Sequence, residues 1–541
     1  MMRASLRAAG AAVALLIALL LAQLPGAAAR PVRAQGESPP GPDRATAITI
    51  NYTAYEWWLV RFLDNAVACQ IYVDHEGLPR PSEIYYACGA DLYEKWAATR
   101  PCEYAESDDP SVCNGYYLLF WESGPAQREI AVSLPPPVVW VTLEGCTSLP
   151  GTHLCDPDAL LVLTGEEPLP NESITRLEGL IDGEPFVCEP RCYIELLPTD
   201  SAGIRLEFWA YSTYGDSSVA FEALLRVADA EPETGQPGWY VDVLSSQWRG
   251  APAAGCAQTW EAFPPVGGPP PWLTTPASPA ELASDIPYEY LASNLILQGV
   301  ADVSHCPDGG FLSNGQLSQC GLRAARPAVT AWQNRFDAII FDVALETGVP
   351  AQLLKNLFSR ESQFWPGVYT ARPEVGLGQM TENGADTTLL WNPSFYEQFC
   401  PLVLDLDTCA SGYAQLDEEQ QEMLRGALVQ NVDAFCPDCP LRLDLQQADF
   451  SVPIFAETLL ANCEQTGMIV YNTYRQPPGR VASYEDLWRF TLVNYNAGPG
   501  CLILAIQSTE SLGEPLDWEH LSSHLTPVCR GAIDYVEDIS R

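Results

Sequence analysis

The chain has 541 residues with 69 acidic against 28 basic ones, a net charge of −41. Such a surface repels phosphate backbones and anionic lipid, which argues against a nucleic-acid partner and leaves neutral glycans and cationic ligands open. Hydrophobic residues make up 47%, so the acidity belongs to a solvated surface and not to a disordered chain, and the length allows about three to five domains.

In chain order, residues 1–29 read as a secretory signal peptide. Arg3 and Arg7 precede an apolar run, Ala11 to Ala22, and the small residues Gly26, Ala27, Ala28 and Ala29 follow it. The run is shorter than the ~18–20 residues of a membrane span. No Cys follows it closely, as a lipid anchor would require, and no later stretch reads as a span. The expectation is a secreted or cell-envelope protein with no stable membrane insertion after signal cleavage. The even count of 18 cysteines fits export, since exported compartments are oxidising. Neighbour pairing is the simplest expectation: Cys102 with Cys113, Cys146 with Cys155, Cys188 with Cys192, Cys306 with Cys320, Cys400 with Cys409.

Residues 30–46 are rich in Pro and Gly and are expected to be disordered. From 47 to 134, short aromatic and β-branched runs such as "AITINYTAYEWWLVRFL", "SEIYYACG" and "GYYLLFWESG" predict an antiparallel β domain. "PPP" at 135–137 marks a joint, and residues 138–260 repeat the pattern with "VVWVTLEGC", "ALLVLTG", "CYIELLPTD", "IRLEFWAYSTYGD" and "VAFEALLRVADA". Regularly spaced short strands predict a sandwich-like, immunoglobulin-like (Ig-like) second domain. Clustered aromatics (Trp57, Trp58, Tyr85, Tyr86, Trp209, Tyr211) could fill the cores of these domains or stack on sugars.

Residues 262–287 hold the densest Pro/Gly content and read as a semi-rigid linker. Beyond it, from 288 to 541, the hydrophobic period becomes helical. Trp332, Phe336, Ile339, Ile340 and Val343 form one helix face ended by Gly348, and Pro350 suits the start of the next helix. Ser483 with Asp486 resembles a capping box. The fold class is therefore multidomain, with N-terminal all-β domains and a mainly α C-terminal half.

The helix over 351–362 carries the chemistry. Glu361 lies seven residues after Leu354, four after Leu357 and three after Phe358, so it shares their apolar face. A carboxyl held against apolar walls has a raised pKa and can act as a general acid near neutral pH. Glu361 would equally serve as an ordinary ion-paired residue in a last helical turn. Downstream, "EVGLGQMT" (374–381) supplies a Gly-rich turn, and "FTLVNYNAGPG" (490–500) ends a helix at Ala497-Gly498-Pro499.

Glu361-Ser362, then Gly376-Leu377-Gly378-Gln379, then Tyr495-Asn496-Ala497-Gly498, in this order, resemble the catalytic domain of the soluble lytic transglycosylases, lysozyme-like enzymes of goose type that cleave peptidoglycan. The Val-Pro followed by an amphipathic helix ending in Glu-Ser is similar to the same family, as are Tyr535-Val536 near the C-terminus. The resemblance covers roughly 325–540 and implies a lysozyme-like fold for 288–541. It implies that Glu361 protonates the bond between N-acetylmuramic acid and N-acetylglucosamine, then serves as base while the muramyl O6 attacks C1. The product is a 1,6-anhydromuramyl end. It also implies that Ser362, Gly378, Gln379, Met380, Tyr495 and Asn496 bind the glycan strand, and that no cofactor or metal is needed. Two departures stand out: Gly378 replaces the family's Met, and an insertion with Cys400, Cys409, Cys436 and Cys439 lengthens the gap from Gln379 to Tyr495.

Other readings stay in view. A lysozyme-type hydrolase needs a second carboxylate, for which Glu374, Glu382 and Asp386 are the nearby candidates. A non-catalytic glycan-binding envelope protein would have no need of a buried acid. Cys436-Pro-Asp-Cys439 could be half a zinc site but lacks a second half, so a disulfide is expected. His520 and His524 lack the H-E-x-x-H arrangement of a metalloprotease.

Overall fold

A computed structural model describes residues 39–100, 114–230, 238–367 and 374–541. The expected signal peptide, most of the expected disordered stretch and the Cys102 and Cys113 pair lie outside the described residues. The chain forms two compact units, one built from Pro42–Pro136 with Pro168–Asn171, the other from Pro137–Glu167 with Glu172–Arg541.

The first unit is a three-stranded antiparallel sheet with β1 (Ala45–Arg61) between β2 (Val67–Val73) and β3 (Tyr116–Ser133). β1 begins inside the stretch expected to be disordered. Two helices, α1 (Pro81–Cys88) and α2 (Ala90–Ala97), join β2 to β3, so this domain is not all-β. "SEIYYACG" is helical where a strand was expected, because Pro81 occupies the first helical position and the Glu83 carboxylate accepts from the Arg80 N–H at 2.6 Å. Ile84 on that helix is buried with Leu59, Ile71 and Val73, and Cys69–Cys88 ties α1 to β2.

The second unit opens with eight antiparallel strands: β4 (Val138–Leu149), β5 (Thr152–Glu166), β6 (Ile174–Ile181), β7 (Glu184–Cys188), β8 (Arg191–Glu195), β9 (Ile204–Ser212), β10 (Phe221–Ala230) and β11 (Gly238–Leu244). Their order is β4-β5-β11-β10-β9-β6-β7, with β8 also pairing with β5. The first half of β5 holds β11 and its second half holds β8. The β7–β8 turn, closed by Cys188–Cys192, therefore curls the sheet back on itself. Val141, Leu163, Leu177, Phe208, Val227 and Val241 fill the single core inside it.

The remainder is helical: α3 (Gly255–Trp260), α4 (Glu289–Leu297), α5 (Gln319–Gln333), α6 (Asp337–Thr347), α7 (Ala351–Ser362), α8 (Glu382–Trp391), α9 (Pro393–Phe399), α10 (Leu406–Cys409), α11 (Glu418–Val432), α12 (Leu445–Tyr474), α13 (Tyr484–Ala497), α14 (Pro499–Leu512), α15 (Trp518–Ser523) and α16 (Gly531–Ile539). The face expected to run unbroken from Trp332 to Val343 is split between α5 and α6, because the chain leaves the helix at residues 334–336. Gly348 ends α6 in the left-handed conformation, as its sequence position predicts. α12 is buried nearly all round and forms the axis of the helical core. Residues 262–287, expected as a linker, send Trp272, Leu273 and Leu282 into that core.

All sixteen described cysteines form eight disulfides. Every expected neighbour pair among the described residues is present, and Cys436 pairs with Cys439. Cys256–Cys463 and Cys501–Cys529 are longer links, the former fastening α3 to α12. Among the described residues, no helix is long and apolar enough to cross a membrane.

One charged contact fixes the helix that carries Glu361. Lys355 on α7 is 3% exposed and donates to Asp337 Oδ1 and Asn334 Oδ1, each at 2.8 Å, and to the Leu282 carbonyl. Burial pulls Lys355 down and pushes Asp337 up, and the bond between them opposes both shifts. Lys355→Met strands a buried carboxylate and is expected to cost about 3–5 kcal/mol in chemical denaturation. Lys355→Met with Asp337→Leu, which removes both charges, should recover most of that loss.

Candidate active site

α7 buries Leu353, Leu354, Leu357 and Phe358 completely. The last turn carries Glu361, and the helix stops at two successive non-glycine residues with positive φ, Gln363 (48°) and Phe364 (61°). Each such residue costs on the order of 1 kcal/mol or more and persists only when its surroundings hold it. Here the Gln363 side-chain oxygen accepts from the N–H groups of Tyr290 and Leu291 at 3.0 and 3.3 Å, and Trp332 Nε1 donates to the Phe364 carbonyl at 2.8 Å. Trp365 then stacks on Trp332. The Phe-Trp-Pro stop is thus anchored to α4 and α5.

The Gly-rich segment forms a tight turn in which Val375 and Met380 exchange backbone hydrogen bonds. Gly376 has φ 78°, and a Cβ there would lie 2.6 Å from the Val432 carbonyl oxygen. Gln379, at φ 52°, closes the turn with its side-chain amide on the Gly376 carbonyl at 2.7 Å. The turn is tied on both sides. Ser362 Oγ donates to the Leu377 carbonyl at 2.7 Å, and Tyr495 Oη, from α13, donates to the Gly378 carbonyl at 2.7 Å. The three sequence motifs therefore meet through two hydroxyl–carbonyl bonds.

They meet at a cleft of about 630 Å³ lined by Glu361, Gln379, Met380, Tyr495 and Asn496, with Glu374 and Asp386. Ser362 and Gly378 do not line it. Ser362 is buried behind it, and Gly378 contributes its carbonyl to Tyr495. No Lys or Arg is among the described residues lining the cleft. Tyr535 on α16 donates to Glu361 Oε1 at 2.5 Å. Burial pushes the Glu361 carboxyl up to about 7; the bond from Tyr535 and the charge of Arg360 oppose the rise, and Glu374 adds to it. Burial, then the charge of Glu361, pushes both tyrosines well above the ordinary phenol range, so both remain donors. The arrangement holds a carboxyl whose midpoint lies at about 7, at the edge of the cleft.

Several contributors carry no clear mark in the sequence. Phe455 of α12 packs edge-on against Phe358 and fills the space in front of Gly378, where a Cβ would lie 2.4 Å from its ring and 2.8 Å from Tyr495 Oη. Asn494 is 2% exposed with no partner for its Oδ1, and Gln379 Oε1 is likewise unpartnered. Asn494 adjoins the Tyr-Asn-Ala-Gly motif, but only the fold shows that it faces the cleft. Asp386 accepts from Arg425 at 3.1 Å and from Tyr413, both in the cysteine-bearing insertion, which therefore braces one cleft wall. His520 and His524 pair separately with Asp517 and Glu514.

Comparison of the chain with protein families, with curated proteins and with solved structures gives no match.

Gly378→Ala should force Phe455 or Tyr495 to move and lower stability by about 1–3 kcal/mol, read from the denaturation midpoint. Adding Phe455→Leu should relieve part of that loss if the clash is its cause.

Proposed function

We propose that this protein is an exported peptidoglycan lytic transglycosylase with a lysozyme-like catalytic domain in residues 288–541, preceded by an immunoglobulin-like β module. The observation that carries the reading is Glu361: a carboxyl pushed up to about 7 at the edge of a cleft of about 630 Å³, held by Tyr535 and flanked by the Gly-rich turn and Tyr495. A group that titrates near neutral pH can both give and take a proton, which is what this reaction asks of a single residue.

In the proposed reaction, Glu361 donates its proton to the glycosidic oxygen as the C1–O bond between N-acetylmuramic acid and N-acetylglucosamine breaks. The C6 hydroxyl of the same muramyl residue forms the new bond to C1 and returns its proton to the Glu361 carboxylate. Water is neither consumed nor released, and the acid is regenerated. Tyr535 positions the carboxyl and Tyr495 fixes the turn; the unpartnered side-chain oxygens of Gln379 and Asn494 suit the N–H and O–H donors of an amino sugar, and Asn496 adds a further amide at the cleft. Among its described lining residues the cleft has carboxylates and no Lys or Arg, which suits a neutral strand better than a polyanion. The eight disulfides support an oxidising, extracytoplasmic location.

Glu374 lines the same cleft and raises the Glu361 pKa through its charge. That favours a second reading, a lysozyme-type hydrolase in which a carboxylate orients water.

The test is incubation of the protein with purified peptidoglycan, followed by mass spectrometry of the muropeptides. Anhydromuramyl ends are expected, and Glu361→Gln should reduce their rate of release by about a hundred- to ten-thousand-fold. Reducing ends would favour the hydrolase. Equal activity in the Glu361→Gln variant would remove Glu361 from the chemistry.

A further inference from the structure

We infer that the first compact unit carries its own glycan-binding surface, on the face of its sheet that α1 and α2 leave open. Leu59, Ile71 and Val73 turn towards the helices, so the alternating residues of β1, β2 and β3 point the other way. There the Trp58 and Trp121 rings stack with centroids 3.7 Å apart and planes within 13°. A β-bulge makes this pair: the register shifts between Glu56 and Trp57, and Trp121 is the extra residue, turned onto Trp58. Trp121 is 51% exposed, Tyr72 62% and Leu119 39%. An apolar face of this kind, unburied on a folded domain, is unusual unless something covers it.

Polar groups beside the rings indicate what that is. Tyr72, Glu56 and Glu122 lie directly across from one another on the three strands. Glu56 accepts from Trp58 Nε1 at 2.5 Å, and the Tyr72 hydroxyl lies against the same carboxylate. Two like charges facing each other across a ladder are unfavourable on their own. They also offer only acceptors, so the complementary partner brings donors and flat apolar faces. A β-linked amino-sugar strand has both: C–H faces to lie on the exposed indole, and hydroxyl and amide N–H groups to donate to Glu56 and Glu122. A second copy of this chain would bring the same carboxylates face to face, in a protein of net charge −41. Polyanions are disfavoured for the same reason.

This surface lies in a different unit from the cleft, and only the choice of peptidoglycan as a probe rests on the proposed function. The test uses the full chain with Glu361→Gln, so that the probe is not digested, sedimented with insoluble peptidoglycan and with chitin. Adding Trp58→Ala and Trp121→Ala should weaken binding about tenfold, with an unchanged thermal midpoint, while Trp121→Phe should retain most of the binding. Unchanged binding in the double variant would overturn the inference. So would self-association of the chain that the double variant abolishes, or a preference for basic peptides over both glycans. If the unsubstituted chain releases no muropeptides yet still binds through these tryptophans, the cleavage reading falls and this surface stands.

Discussion

A half-buried carboxyl at the edge of a cleft, bonded to a buried phenol, is the constraint around which the helical half is arranged. Glu361 would ionise readily in solvent; here the apolar walls of α7 and the Tyr535 phenol hold it near its midpoint at neutral pH. Such a group costs stability, so the surrounding structure has to be rigid enough to keep it in place. Lys355 and Asp337 pin α7 from behind, Ser362 and Tyr495 fix the Gly-rich turn beside it, and Gln363 and Trp332 hold the strained helix end.

The same packing bears on the two places where the chain differs from the lytic transglycosylase pattern of the proposed function. A Met side chain at 378 has no room because Phe455 occupies the volume, and Phe455 is in turn part of the packing around Phe358. The cysteine-bearing insertion does more than lengthen the chain: through Arg425 and Tyr413 it grips Asp386 in the cleft wall. The first shapes the packing behind the Gly-rich turn, the second braces the cleft wall at Asp386, and the bond between Glu361 and Tyr535 stands apart from both.

The sequence signals that proved legible were those of short range. Helical spacing placed Glu361 on the face of Leu354, Leu357 and Phe358, and neighbour pairing of cysteines anticipated four of the eight links. Strand patterning found the β-rich half but missed α1, where a first-turn proline and a capping glutamate outweighed aromatic residues with strand preference. Proline content alone made 262–287 look like a linker, although Trp272, Leu273 and Leu282 in that stretch were large enough to be core. Phe455, Asn494 and the Tyr535–Glu361 bond join residues up to 174 positions apart, and no local pattern encodes such a meeting. Trp58 and Trp121 were equally hidden as a pair, because a single bulged residue decides which way Trp121 points.

One unit holds a cleft built around one tunable acid and the other a sheet face carrying stacked indoles, and the chemistry proposed for the cleft depends on the ionisation of Glu361. The direct measurement is an NMR titration of the isotope-labelled Glu361 carboxyl, assigned by its loss in Glu361→Gln. The expected midpoint is about 7, with the group protonated below it and ionised above. A midpoint at the ordinary value of 4.5 would contradict it, since the carboxyl would then carry no proton to give at neutral pH.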